Sequence, residues 1–81
     1  MIRLTLYSRE SCHLCEEMKA IIARVGREIP IDLEEIDIAT DEALERAYGE
    51  QIPVLFAGGR KIAKFRVTED ELRRRLTRNR Q

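Results

Sequence analysis

The feature that most constrains this sequence is a pair of cysteines, Cys12 and Cys15, that stands between a strand pattern and a helix pattern. Apolar and polar residues alternate through residues 2–7, which is the period of a β-strand. Apolar residues then recur every three or four positions through residues 14–25, which predicts an amphipathic helix. A disulfide between cysteines this close closes almost no loop and stabilises a fold little. The pair therefore points to chemistry rather than to structural cross-linking.

The place of Cys12 at the start of a helix predicts a reactive thiol. Free N–H groups and the partial positive charge of a helix amino terminus lower the pKa of such a thiol toward ~3.5–7.5. Cys15 lies one turn further on the apolar side, where it can attack a mixed disulfide formed at Cys12. We predict that Cys12 is the nucleophile and that Cys15 is the resolving thiol.

His13, which lies between the two cysteines, has two interpretations that we leave open. As a cation it would stabilise the Cys12 thiolate and make the disulfide more oxidising, so it is a candidate for tuning the pKa of that thiol. As a solvated side chain it has no such role, and a positive charge at this end of a helix opposes the helix dipole.

Three other interpretations of the cysteine pair compete with redox chemistry. A zinc site normally takes four ligands, whereas the sequence offers two cysteines and a single histidine between them. Burial as a small core residue fits Cys15 better than it fits Cys12. Binding of a metal between two copies of the chain stays open as an alternative. We favour redox chemistry because the motif follows a strand and opens a helix.

Charge gives the chain no global preference for nucleic acid or membranes, since 15 Lys and Arg residues balance 15 Asp and Glu residues. The distribution is uneven. Nine acids against one Arg give residues 28–50 a net charge of −8, and nine bases against three acids give residues 60–81 a net charge of +6. Arg73–Arg75, Arg78 and Arg80 have no interleaved aromatic residues, so we interpret them as a solvated helix face and expect no nucleic-acid partner.

Length and the amino terminus bound the organisation of the chain. Eighty-one residues correspond to one domain, here residues 1–81. The amino terminus alternates polar and apolar residues and lacks the continuous apolar stretch of a signal peptide. No apolar run approaches the length of a membrane span. We expect a cytoplasmic protein without a membrane partner, in a compartment that keeps thiols reduced.

The remaining patterns predict the element order β-α-β-α-β-β-α. After the first helix come a strand at 31–38, a brief helix capped by Thr40 and closed by Gly49, strands at 53–56 and 61–65 around a Gly58-Gly59 turn, and a helix opened by a capping box at 68–71. The first two strands should be parallel and the last two should form an antiparallel hairpin. We predict an α/β fold with a mixed four-stranded sheet flanked by helices, and we expect residues 77–81 to fray.

Two segments of the sequence carry a resemblance to a known family. Residues 7–9 (Tyr-Ser-Arg), followed by residues 12–15 (Cys-His-Leu-Cys), resemble the strand-to-motif segment of glutaredoxins. Residues 52–54 (Ile-Pro-Val) resemble the loop that holds a cis-proline in the thioredoxin fold. Because the element order agrees over the whole chain, the sequence is similar to the small glutaredoxin-like proteins of the thioredoxin-fold superfamily. The resemblance implies a thioredoxin fold and a thiol–disulfide oxidoreductase activity.

The resemblance also implies roles for individual residues. Cys12 would attack and Cys15 would resolve. Pro53, in a cis peptide with Ile52 and in contact with a sulfur, would face them across a groove in which the Ile52 backbone binds a peptide or glutathione. Arg9 occupies the position at which many glutaredoxins place a Lys that meets a glutathione carboxylate. Implied partners are a disulfide-containing protein or glutathionylated substrate, and a reductase or glutathione as reductant. We expect a monomer with no bound cofactor or metal.

The sequence departs from the glutaredoxin pattern at two places. Glutaredoxins usually have Thr before Val-Pro, and here Gln51 stands at the Thr position. They also carry a Gly-Gly pair after the fourth strand that binds glutathione, and here residues 63–66 read Ala-Lys-Phe-Arg. We therefore expect weak dependence on glutathione.

The alternative function is a carrier that holds an iron–sulfur cluster or a metal through Cys12 between two copies.

Overall fold

The structure, a computed structural model, describes residues 1–79 and contains the predicted β-α-β-α-β-β-α order. Its elements are β1 (Ile2–Ser8), α1 (His13–Val25), β2 (Ile31–Asp37), α2 (Glu42–Tyr48), β3 (Val54–Ala57), β4 (Arg60–Lys64) and α3 (Glu69–Asn79), with a 3₁₀ turn (Ile38–Thr40) between β2 and α2. Gly58 and Gly59 form the predicted turn between β3 and β4, and both take left-handed φ values, 56° and 82°.

The four strands form one mixed sheet in the order β2-β1-β3-β4. β1 and β2 are parallel, with Ile2 opposite Ile31 and Ser8 opposite Asp37. β3 is antiparallel to both β1 and β4, so the predicted hairpin is confirmed. The acidic β2 and the basic β4 form the two edges of the sheet. This arrangement confirms the predicted thioredoxin fold.

The main core lies on the face of the sheet covered by α1 and α3. Alternate residues of β1, Leu4 and Leu6, point to this face and are buried. The helices contribute buried residues at helical spacing, which are Met18, Ile22 and Val25 of α1 and Leu72 and Leu76 of α3.

The opposite face is covered more thinly. α2 has seven residues and none of them is buried. The packing there is aromatic: Tyr7 stacks on Tyr48 with ring centroids 4.8 Å apart, and Phe56 meets both rings edge-on at 5.5 and 5.8 Å. Such pairs stabilise by about 0.5–1.5 kcal/mol beyond the area that they bury.

The entry to α2 differs from the prediction. Thr40 does not cap the helix; its hydroxyl donates to the Asp37 carbonyl at 2.8 Å and closes the 3₁₀ turn. Asp41 is the cap, and its Oδ1 accepts from the N–H groups of Ala43 at 2.8 Å and Leu44 at 3.3 Å. The reason is the turn itself, which delays the helix by one residue after β2 ends at Asp37, one residue short of the predicted strand.

α3 starts as predicted and extends further than predicted. The capping box is confirmed: Thr68 N–H donates to Glu71 Oε1 at 2.9 Å, and Glu71 N–H donates to Thr68 Oγ1 at 3.1 Å. Fraying from Thr77 is wrong for residues 77–79, which continue the helix because no glycine or proline interrupts it. Residues 80–81, including Arg80, lie outside the described residues.

Two of the three consecutive arginines of α3 are engaged within the molecule. Arg73 donates to Glu28 at 2.8 Å and to Asp70 at 2.8 Å, and the hydrogen bond to Glu28 raises the pKa of Arg73. Arg75 donates to the Ile62 carbonyl at 2.7 Å. Over the described residues, no helix combines the length and the apolarity that crossing a bilayer requires.

Candidate redox site

The loop after β1 delivers Cys12 to the start of α1. Ser11, immediately before it, has a φ of 58°, in the left-handed region that non-glycine residues seldom adopt. A residue held there costs about 1–3 kcal/mol, and such residues cluster at functional sites. Cys12 itself is extended, with φ −100° and ψ 111°, and is the amino-terminal cap of α1.

The two cysteines differ in exposure as the sequence predicted. Cys12 is half-buried, whereas Cys15 is fully buried on the apolar side of α1. They are joined by a disulfide with their Cα atoms 5.2 Å apart, so this is the oxidised state. The Cys15 N–H also donates to Cys12 Sγ at 3.1 Å. A backbone donor is therefore aimed at the sulfur that would carry negative charge after reduction.

The peptide bond between Ile52 and Pro53 is cis, as predicted. Pro53 is fully buried and Ile52 is half-buried, at the entry to β3. The Pro53 carbonyl accepts a hydrogen bond from the Phe65 N–H at 2.9 Å, which joins this loop to the segment after β4. Contact of the Pro53 ring with a sulfur, and the part of both residues in substrate binding, stay predictions.

The sequence predicts Phe65 as the last residue of the fourth strand, but β4 ends at Lys64 and Phe65 turns away from it. Its φ is 65°, and the Arg66 N–H donates to the Lys64 carbonyl at 2.8 Å across it, which closes a γ-turn. The ring is 41% exposed, and Lys64 Nζ lies 5.5 Å from its centroid. The one sequence signal of this turn is that residues 63–66 (Ala-Lys-Phe-Arg) stand where glutaredoxins carry a Gly-Gly pair.

Arg9 makes an ion pair that the sequence did not predict. Its Nη2 donates to Glu45 Oε1 of α2, and the two side chains are about equally exposed. Its Nε is buried, and no hydrogen-bond partner for it lies among residues 1–79. Arg9 thus binds a carboxylate, as expected of its guanidinium, but one that belongs to the same chain. Its role toward a glutathione carboxylate stays a prediction.

His13 is the first residue of α1 and is exposed. Its effect on Cys12 stays a prediction. Within residues 1–79, the His, Cys, Asp and Glu side chains form no group of three that could hold a metal ion.

A polar cluster beside the core went unrecognised in the sequence. Ser8 is 3% exposed and donates to Glu35 Oε2 at 2.9 Å, and Lys19 of α1 lies 3.2 Å from the same oxygen. The hydrogen bonds of Lys19, first to Glu16 and then to Glu35, raise the pKa of its ammonium group. The sequence signal of this cluster is that Glu35 stands two residues after Leu33, where an apolar residue would continue the alternation. Leu33 and Glu35 lie opposite Leu4 and Leu6, so Glu35 points to the face of the sheet that α1 covers.

Comparison with known proteins shows which family the chain resembles. The model of the family described as Glutaredoxin-like domain (DUF836) matches residues 3–77. The X-ray structure of Northeast Structural Genomics target protein XcR50 from X. campestris is 36% identical, with 93% of this chain and 96% of that chain covered and a TM-score of 0.79. Protein Ne2328 from Nitrosomonas europaea is 36% identical over 88% of this chain and 86% of its own, with a TM-score of 0.77.

A more distant likeness extends to a thioredoxin. Thioredoxin 1 from Thermosipho africanus is 17% identical, with 95% of this chain and 92% of that chain covered and a TM-score of 0.66. At this identity the likeness shows the fold alone. No curated protein matches the sequence.

Proposed function

The chain belongs to the glutaredoxin-like domain family, and we propose that it is a thiol–disulfide oxidoreductase that works through Cys12 and Cys15. The glutaredoxin-like thioredoxin fold with a Cys-x-x-Cys pair suggests redox function. One observation supports the finer proposal most. A half-buried sulfur at the cap of α1 receives an N–H at 3.1 Å and is bonded to a fully buried sulfur one turn along the helix.

The proposed reaction has two exchange steps. The Cys12 thiolate attacks one sulfur of a substrate disulfide, forms a mixed disulfide and releases the other sulfur, which takes up a proton. Cys15 then loses its proton and attacks Cys12 Sγ, which forms the bond present in this structure and releases the second substrate thiol. The substrate gains two electrons and two protons, and the protein dithiol loses them. A dithiol reductase, or two molecules of glutathione, would reduce the protein again.

The two sulfurs have environments that suit these different steps. The end of the helix dipole and the Cys15 N–H both favour negative charge on Cys12, so its thiolate is the attacking species. Cys15 is shielded from water, so the disulfide that it can reach is the mixed disulfide formed at Cys12 beside it. Because the two thiols carry both electrons, the reaction needs no bound cofactor or metal.

The proposed substrate is a disulfide-containing protein, in the cytoplasm, and the proposed acting form is a monomer. Glutathione is disfavoured by the segment at the place of the glutaredoxin glycine pair. There the Phe65 N–H is bonded to the Pro53 carbonyl and the Arg66 N–H to the Lys64 carbonyl, at 2.9 and 2.8 Å. Backbone donors that are already paired give little to a ligand carboxylate.

The test compares the two thiols directly. With iodoacetamide at neutral pH, Cys12 of the reduced protein should be alkylated at least about tenfold faster than Cys15, since exposed thiolates react and buried thiols do not. Cys15→Ser should accumulate a mixed disulfide with a peptide disulfide substrate, and Cys12→Ser should not. Protein unfolded in urea, in which both thiols react alike, is the control. Equal rates in the folded protein would overturn the assignment.

The same preparations test the alternative of a cluster or metal carrier. That function would require a coloured or metal-containing dimer in which Cys12→Ser loses the metal. A colourless monomer that cycles two electrons per chain would support the oxidoreductase.

A further inference from the structure

We infer that a groove between α1 and the turn at Phe65 binds a large apolar side chain of the substrate polypeptide, close to the disulfide that Cys12 attacks. The inference rests on the proposed function and narrows its substrate class. The expected substrate is a protein disulfide flanked by a bulky apolar residue, and glutathione is a poor substitute for it.

The groove has the dimensions and the lining of a side-chain subsite. Its volume is about 370 Å³, near the lower end of ligand pockets in general. The apolar part of its lining consists of Met18, Ala20, Ile21, Phe65 and Val67. Met18 and Val67 are buried, while the Phe65 ring is 41% exposed and stands as one wall.

The charged part of the lining favours a neutral occupant. Glu17 and Glu71 are balanced by Arg24 and Arg66, so the groove has no net charge to attract an anion or a cation. Glu71 is already engaged in the capping box. An uncharged apolar side chain is therefore the occupant that this lining complements best.

The backbone at Phe65 gives an independent reason to assign function to this ring. A phenylalanine at a φ of 65° is strained, and glycine would relieve that strain. The turn nevertheless holds an aromatic ring that is 41% exposed and does not belong to the main core. Aromatic residues, phenylalanine among them, are enriched at protein–protein interfaces relative to the rest of the surface.

The groove is within reach of the reacting sulfur along an extended peptide. Cys12 Sγ lies 3.1 Å from the backbone nitrogen of Cys15, and the rise along the axis of α1 from Cys15 to Met18 and Ile21 is about 4.5–9 Å. An extended peptide advances about 3.3 Å per residue. The side chain in the groove therefore belongs to a residue about one to three positions from the substrate cysteine.

The test uses two symmetric disulfide dimers of short single-cysteine peptides. One peptide has Phe at each of the three positions on either side of the cysteine, and the other has Ser at the same positions. Each is mixed with pre-reduced protein, and the release of peptide thiol is followed in a single turnover. We expect the Phe peptide to react about tenfold faster at limiting concentration. We also expect oxidised glutathione to react no faster than the Ser peptide.

Variants locate the preference. Phe65→Asn and Phe65→Gly both tolerate a positive φ and remove the ring, so they should fold and reduce the Phe-to-Ser ratio to about one. Phe56→Leu, which removes a ring on the other face of the sheet, is the matched control and should keep the ratio.

The outcomes separate the inference from the proposed function. Equal rates for both peptides in the unaltered protein would overturn the groove and leave the oxidoreductase intact. A ratio retained in both Phe65 variants would also overturn it. Failure to reduce either peptide would overturn the proposed function and the inference together.

Discussion

The two faces of the sheet differ in how much they bury, and the redox site belongs to the better-packed one. On the face of α1 and α3, Leu6, Leu55 and Leu72 are entirely inaccessible to solvent. On the other face, α2 buries none of its residues and is held by aromatic contacts and by Glu45, which pairs with Arg9. A small domain has apolar surface for one substantial core, and here that core supports α1.

This difference explains how the site keeps its geometry. The 3.1 Å approach of the Cys15 N–H to Cys12 Sγ depends on the first turn of α1, which is fixed by buried residues of the same helix. It does not depend on α2. We therefore expect changes in the thin face, including loss of the Arg9–Glu45 pair, to leave the sulfurs in place, and changes in the packed face to displace them.

The largest expected effect tests this contrast with the same substitution on each face. Leu72→Ala should lower the free energy of unfolding by about 2–5 kcal/mol, because it leaves a cavity in the core. Leu44→Ala on half-buried α2 should cost less than about 1.5 kcal/mol. Urea unfolding of the oxidised protein measures both. Equal losses would mean that the faces are equivalent and the comparison is wrong.

A smaller effect is expected from the ion pair that links α2 to the loop before Cys12. Glu45→Gln should change the free energy of unfolding by about 1 kcal/mol or less, since both partners are partly exposed. The alkylation rate of Cys12 should stay as it is. If Arg9 binds a glutathione carboxylate, Glu45→Gln should also lower the KM for oxidised glutathione, because it releases the guanidinium from its internal partner.

Arg9→Gln is the companion to that variant. It should raise the KM for oxidised glutathione and leave the rate with a peptide disulfide unchanged. If neither variant changes the KM, the role of Arg9 is confined to holding α2.

The smallest expected effect concerns acid stability at the start of α3. Hydrogen bonds from Thr68, first through its backbone, lower the pKa of Glu71 below its ordinary value of 4.5. The folded state thus favours the carboxylate, and its contribution is complete above pH 4.5 and is lost as the pH falls through the lowered pKa. Glu71→Gln should remove this part of the acid dependence of the melting temperature.

Glu50→Gln, at an exposed position outside the helices, removes the same charge and is the matched control. Thr68→Ala should cost about 0.5–2 kcal/mol at neutral pH, as the loss of a cap does. An unchanged profile in Glu71→Gln would show that the capping box contributes nothing to acid stability.

The element order and the capping box were predictable because they follow from local patterns. The period of β1, the stripe of α1 and the spacing of Thr68 and Glu71 all lie within short windows of sequence. The cap of α2 was not predictable. Thr40 and Asp41 are both good caps, and the 3₁₀ turn that places the cap at Asp41 has no distinct sequence signal.

In the candidate site, too, features that follow from a local motif were predictable and contacts between distant residues were not. The cysteines were found from their motif and the cis bond of Pro53 from its resemblance. The partners of Arg9 and Ser8 were not found, because they lie 36 and 27 residues away and depend on how α2 and β2 pack. The turn at Phe65 was not predicted because phenylalanine seldom adopts a left-handed backbone conformation.

The edges of the sheet have a consequence for how the molecule approaches others. The acidic segment 28–50 includes β2 at one edge, and the basic segment 60–81 includes β4 at the opposite edge, so a chain of zero net charge is an electric dipole across its strands. A charged partner exerts a torque on such a dipole and turns it before contact, over a Debye length of about 8 Å at physiological ionic strength. Cys12 lies beyond the end of β1, to the side of that axis, so alignment of the dipole presents one edge of the sheet, and not the sulfur, to a charged partner. Added salt would randomise the arrival and leave the exchange at the sulfur as fast as before.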